Sequence, residues 1–316
     1  YELQEHLSVG NINAMNSLKS VPLHDLDDDT ISTASTTSSS MSSTSSSCAD
    51  DEYVDINYTQ SFSRPHYELR PRHGVSQQVC SELVNWLGSQ AWKLHFAVSV
   101  WMIELFAGRG ALQNVASTYS LVVISLGLAH GQDLAEPQVP DLLRALIRLI
   151  VPLEVFVAWP CGNQGNWSRV NIARGGELAV RTLEKRQQTE PLLDLFFIAW
   201  EEQVPHNRGC TGENPAGSEH FDDPRFAALH ATWAYVDQCA YYLSHPQDDW
   251  LFAEKGTYLC SSRKWIIGVQ RFCPNRARPG SHEHYRLEGR CEAKSLTSWA
   301  EDYNWSFSKA IVLNLR

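Results

Sequence analysis

The chain has 316 residues, with 43% hydrophobic and 20% charged side chains, which excludes a protein disordered throughout and leaves room for one large domain or two small ones. Its net charge of -10 argues against nucleic acid only until the charge is placed: residues 1 to 60 carry net -9 and residues 61 to 316 net -1. The body is therefore near neutral, and local basic patches remain compatible with phosphate binding.

A chain that begins at Tyr1 reads as a fragment or a processed product, and YELQEHLSVG lacks the basic start and apolar run of a signal peptide. Eight cysteines without regular spacing predict free thiols in a reducing compartment, hence an intracellular protein of nucleus or cytoplasm. The apolar runs near 93 to 106 and 142 to 159 are interrupted by Lys93, His95, Glu104, Arg144, Arg148 and Glu154, so no membrane span is expected.

Between Thr30 and Cys48, fifteen of nineteen residues are Ser or Thr, with acidic residues on both sides. Such a segment buries too little apolar surface to offset its chain entropy, and residues 1–75 are expected to be a disordered acidic tail. Residues 76–316 then form the folded domain. Ser76 to Lys93 spaces apolar residues at helical period; VSVWMIELFAG reads as a buried strand, LVVISL (121–126) as a second, Asp141 to Ile150 as a helix and LEVFVA (153–158) as a third strand. Glu177 to Gln203 reads as two helical stretches broken near Pro191, and Gly209 to Glu213 as a short strand. Alternating strands and helices predict an α/β fold with a mainly parallel sheet and flanking helices.

Ligands of such sheets bind at the carboxyl ends of the strands, which directs attention to four loops. ELFAGRGAL (104–112) places Gly108 and Gly110 where a backbone turns closely past a ligand, but shows neither G-x-G-x-x-G nor a P-loop. LVVISL runs into the loop that holds HGQDL. AWPCGNQGNWSRV holds Cys161 directly after Pro160, either as a nucleophile whose pKa the following helix N-terminus lowers, or as a small packing residue beside a turn. RGCTGENPAGS carries Glu213, which reads either as a carboxyl aimed at the same cleft or as part of a turn.

In this order the motifs resemble those of the cytosine-C5 DNA methyltransferases: FAGRG after the first strand, Pro-Cys after the strand the family numbers fourth, and Glu-Asn after the fifth. The body is more similar still to divergent methyltransferase-like domains of retroelement polyproteins from unicellular eukaryotes. There too a segment like VDQCAYY (236–242) follows, then one like EKGTYLCSS (254–262), and then a Cys with His-x-His (Cys273, His282, His284). The resemblance spans roughly residues 99–290 and implies an S-adenosylmethionine-dependent Rossmann-like fold. It implies that Phe106, Gly108 and Gly110 line the cofactor pocket and that Asp133 contacts the adenine. Cys161 becomes the nucleophile that adds to C6 of cytosine, Glu213 the carboxylic acid that bonds N3, and Asn214 a support of that loop. The implied partner is nucleic acid, DNA rather than RNA, with the target base outside the helical stack.

The last part carries a basic excess. Residues 263 to 290 sum to +5, and Arg263, Lys264, Arg271, Arg276 and Arg278 are expected to meet phosphates, with Trp265, Phe272 and Tyr285 among them; a solvated face is the other reading. Cys273, His282, His284 and Cys291 offer two sulfurs and two imidazoles, but C-x8-H-x-H-x6-C matches no common zinc finger, and no metal is assigned. The second strand ends without an acidic residue, and Trp159 rather than proline precedes Pro160. The loop change counts against the enzyme; the missing acid, with only about fifty residues after Arg263, favours the alternative, a catalytically degenerate nucleic-acid-binding module of a mobile element.

Overall fold

The computed structural model describes residues 75–96, 100–161, 164, 166–287, 290–291, 294–301 and 303–316. The acidic Ser/Thr-rich tail expected over residues 1–75 lies, apart from Val75, outside the described residues.

Ser76 caps the first helix, α1 (Gln77–Leu87), through its hydroxyl and the Val79 N–H, and Gly88 turns the chain out of it, so the helix ends before the expected Lys93. There follow β1 (Val100–Leu105), α2 (Ala111–Ser117), β2 (Val122–Leu126), α3 (Val139–Ile150), β3 (Glu154–Val157), α4 (Asn166–Arg174), α5 (Gly176–Gln203) and β4 (Gly209–Pro215). The second half holds α6 (Pro224–Ala228), β5 (Thr232–Asp237), β6 (Ser244–His245), β7 (Asp248–Ala253), β8 (Gly256–Ser261), β9 (Glu283–Tyr285), β10 (Arg290–Cys291), β11 (Lys294–Ser295), α7 (Leu296–Trp299) and α8 (Trp305–Leu315).

Six strands form one sheet in the order β2-β1-β3-β4-β8-β5. The pairs β1–β2, β1–β3 and β3–β4 are parallel, whereas β8 runs antiparallel to both β4 and β5. The protein is thus a mixed α/β structure with a mostly parallel sheet. Because side chains alternate along a strand, each strand feeds two cores. Ile103, Leu105, Ile124, Val155 and Val157 pack with apolar residues of α1, α3 and α5, while Met102, Val123, Phe156 and Leu259 pack with α2 and α8 on the other face.

The break expected near Pro191 is absent: α5 runs unbroken for 28 residues. Proline removes the backbone N–H that would reach Gln187, yet Leu193, Leu195, Phe196 and Ala199 beyond it are buried, and Glu202 at its end is gripped by Arg148 of α3 at 2.8 Å. Core packing on the carboxyl side outweighs one missing hydrogen bond. No helix among the described residues is long and apolar enough to cross a membrane.

Candidate active site

The strand order reverses at β1, which has β2 on one side and β3 on the other. A crevice opens at the carboxyl ends of strands at such a switch point. The loops there are laced by backbone: the Ala107 N–H donates to Leu126 O (3.1 Å) and the Ala158 N–H to Leu105 O (3.2 Å). Phe106, Gly108 and Gly110 all take positive φ (59°, 51° and 73°), and Gly110 leads directly into α2. The left-handed turn is strained at Phe106 alone, and non-glycine strain of this kind, of order 1–3 kcal/mol, gathers at ligand sites. A Cβ on Gly110 would sit 3.2 Å from His130 Cε1, so the glycine loop and the turn after β2 touch. Asp133 follows in that connection, exposed, its Oδ1 accepting the Ala135 N–H at 3.0 Å.

Cys161, Glu213 and Asn214 come from the adjoining strand ends, where Val157 of β3 is registered with Gly212 of β4. Asn214 is fully buried and its Nδ2 donates to Trp159 O at 2.6 Å, tying the Trp-Pro-Cys loop to β4. The Glu213 carboxyl is buried; Tyr303 Oη donates to its Oε2 at 2.6 Å, while Oε1 has no hydrogen-bond partner. Burial raises the Glu213 pKa against the opposing pull of Lys255 and Tyr303. Lys255, whose Nζ donates to Ala300 O at 2.7 Å, also acts on Cys161.

The expectation that a helix N-terminus lowers the Cys161 pKa is corrected. Burial raises it first, Glu213 and Glu301 add to the rise, and Lys255 opposes them; α4 starts only at Asn166. A largely buried thiol under the influence of two carboxyls holds its proton more tightly than a free one. The side chain is nonetheless partly exposed and lies in the electrostatic reach of Glu213, so the pair is brought to one region.

Sequence reasoning missed Tyr303, which lies 90 residues from Glu213 and carries no local signal; Lys255 lies in the EKGTYLCSS segment of the resemblance, which gave it no role. It also missed Glu104 within β1. That carboxyl accepts the Ser125 hydroxyl (2.9 Å) and the N–H groups of Leu112 and Gln113 at the head of α2, and burial pushes its pKa up to about 8.

The basic residues do not form one free patch. Lys264, Arg271, Arg276 and Arg278 are all exposed, but Arg271 lies over the Tyr241 ring (4.6 Å), Arg276 pairs with Asp237 (3.0 Å) and leans on Tyr235 and Phe272, and the half-buried Arg263 donates to Asn207 O. A cleft of about 540 Å³ lies beside them, lined by Gly217, Tyr235, Asp237, Lys255 and Arg276 among others. A second of about 590 Å³ lies between α5 and the 219–225 turn, lined by Arg169, Glu190, Asp194, Glu219 and Arg225 among others; neither includes the glycine loop or Cys161. Cys273, His282 and His284 come together, but Cys291 does not join them; Cys239 takes its place. No family model matches this chain, and no curated protein matches it.

Proposed function

We propose that the chain is an S-adenosylmethionine-dependent methyltransferase of Rossmann-like fold that acts on C5 of cytosine in nucleic acid. The observation that carries this reading is the Asn214–Trp159 hydrogen bond, which fastens the Cys161 loop to the strand end that bears Glu213, next to the left-handed glycine loop at the switch point. A strained Phe106 and a close-turning Gly108 and Gly110 suit a cofactor that must lie against backbone, with Asp133 beyond them toward its adenine.

In this reading S-adenosylmethionine supplies the electrophilic methyl group. The Cys161 thiolate adds to C6 of the flipped base and makes C5 electron-rich. The Lys255 ammonium opposes the rise in the Cys161 pKa and favours the thiolate, and the thiol proton passes to solvent at the partly exposed face of Cys161. Glu213, whose pKa burial raises, is the acid that meets N3 in this reading while Tyr303 holds its Oε2, and so stabilises the charge that the addition creates. Asn214 is a positioning residue. C5 would take the methyl group, its proton would pass to solvent water, and the electron pair of that C–H bond would expel the Cys161 sulfur from C6 and release the product. Lys264 and Arg278, exposed, are the cations best placed to meet phosphates.

A second reading, the degenerate nucleic-acid-binding module, is favoured by the raised Cys161 pKa and by a β2 that ends at Leu126 with no carboxylate. Calorimetry of S-adenosylmethionine with the full chain, followed by methyl transfer to cytosine-containing DNA with Cys161→Ser alongside, separates the two. The enzyme reading expects binding, and transfer that Cys161→Ser abolishes. Absence of binding supports the degenerate module, and transfer that survives Cys161→Ser removes the C5 mechanism.

A further inference from the structure

We infer that Cys239, Cys273, His282 and His284 bind one zinc ion in a closed, structural site. Their ligand atoms all lie within 4.8 Å of one another, although the residues come from three separate places. Cys239 sits in the turn Gln238–Tyr241 after β5, Cys273 heads the turn Pro274–Arg276, and the histidines lie at β9. Cys273 Sγ is 3.6 Å from His282 Nε2 and 3.5 Å from His284 Nε2. Zinc bonds of about 2.3 Å to sulfur and about 2.0 Å to nitrogen at tetrahedral angles require a sulfur–nitrogen spacing of about 3.5 Å. The two ring nitrogens, at 2.7 Å, need only part slightly to reach the corresponding spacing of about 3.3 Å.

The surroundings are those of a built site. Both sulfurs are buried, and the Asn275 N–H points at Cys273 Sγ (3.4 Å). The Cys273 N–H donates to Asp237 Oδ2 at 2.8 Å. Asn275 Nδ2 donates to His282 O (2.8 Å) while its Oδ1 accepts from Ser281 Oγ (2.6 Å), which fixes the histidine loop from outside. Two thiolates with two imidazoles select zinc over magnesium or calcium, and four protein ligands leave no position for catalysis. Among the described residues the apolar cluster at the ligands contains Cys239, Phe252 and Cys273, and Tyr285 and Leu287 pack against a second small cluster, so little apolar burial holds residues 270–287. Zinc would pin to the end of β5 the segment that bears Arg271, Arg276 and Arg278, a role independent of methyl transfer.

The test uses the full chain, purified without a histidine tag and incubated with equimolar zinc, with metal content measured after desalting. One zinc per chain is expected, with cobalt substitution giving thiolate charge-transfer and tetrahedral d–d bands. Cys239→Ser and His284→Ala are expected to lose stoichiometric zinc and Cys291→Ser to keep it. Should the ligand variants fail to fold, the wild-type protein decides: blocking its thiols is expected to release the zinc, and chelation to speed tryptic cleavage after Arg276. Folded wild-type protein without zinc, a Cys239–Cys273 disulfide, or zinc retained in Cys239→Ser overturns the assignment.

Discussion

The side-chain amide of Asn214 reaches across from β4 and donates a 2.6 Å hydrogen bond to the carbonyl of Trp159, joining a strand end to a loop 55 residues away in the chain. Asn214→Ala leaves that buried carbonyl unpaired, which costs about 1–3 kcal/mol. A lower urea midpoint with unchanged slope is the expected result. Methyl transfer is expected to fall further than stability alone accounts for, because the Cys161 loop loses its anchor.

Gly212 faces the same tryptophan from below. A Cβ there would stand 2.6 Å from Trp159 Cζ3 and 2.9 Å from Phe196 Cε2, and neither ring has room to retreat. Gly212→Ala is therefore expected to destabilise by about 1–3 kcal/mol or more, the cost of overpacking a dense core. Thermal unfolding measures it; an unchanged midpoint would mean that the β3–β4 junction is looser than described.

The buried Glu104 gives stability a pH dependence of known sign. Its pKa rises from 4.5 when unfolded to about 8 when folded, so between those values the native state binds a proton that the unfolded state has released. Stability is accordingly greatest below the lower value and declines as pH rises toward the upper one. Glu104→Gln, neutral throughout, is expected to flatten part of that decline in urea titrations across the window. Glu154, raised likewise to about 8 by burial, keeps the rest. A slope unaltered in Glu104→Gln would show that this carboxyl is ionised in the folded protein.

Among the basic residues, exposure and pairing predict different losses. Lys264→Ala and Arg278→Ala are expected to lower DNA affinity and to reduce the slope of log K against log salt by about 0.9 for each phosphate contact removed. Arg276→Ala breaks the pair with Asp237 and the contacts with Tyr235 and Phe272, so its effect is expected mainly in stability. Filter binding over a salt series, paired with melting curves, distinguishes the two patterns.

What was legible in the sequence was local. Apolar runs such as VWMIEL and EVFV are strands because they are buried on both faces, and the positive φ at Gly108 and Gly110 follows from a turn straight into a helix. The continuity of α5 through Pro191 was hidden, because only the core it lies on holds its two halves in line. Tyr303 lies 90 residues from Glu213, and no periodicity or motif announces that its hydroxyl completes that carboxyl. Cys239 was overlooked as a ligand for the same reason. It stands 34 positions before Cys273, beyond any finger spacing, and it is the tertiary pairing of β5 with β8 and with residues 271–273, and of β7 with β9, that brings it to the other ligands. The raised Cys161 pKa is equally non-local, since burial and Glu301 cannot be read from the Pro-Cys dipeptide.

The central claim is that Cys161 attacks a cytosine that Glu213 holds. A fluorine at C5 cannot leave as a proton does, so DNA containing 5-fluorocytosine should trap the adduct in the presence of S-adenosylmethionine. The decisive measurement is the mass of the full chain after that reaction. The account predicts a covalent DNA adduct that maps to Cys161, is lost in Cys161→Ser and is weakened in Glu213→Gln. No adduct with the wild-type chain, or an equal yield with Cys161→Ser, would contradict it.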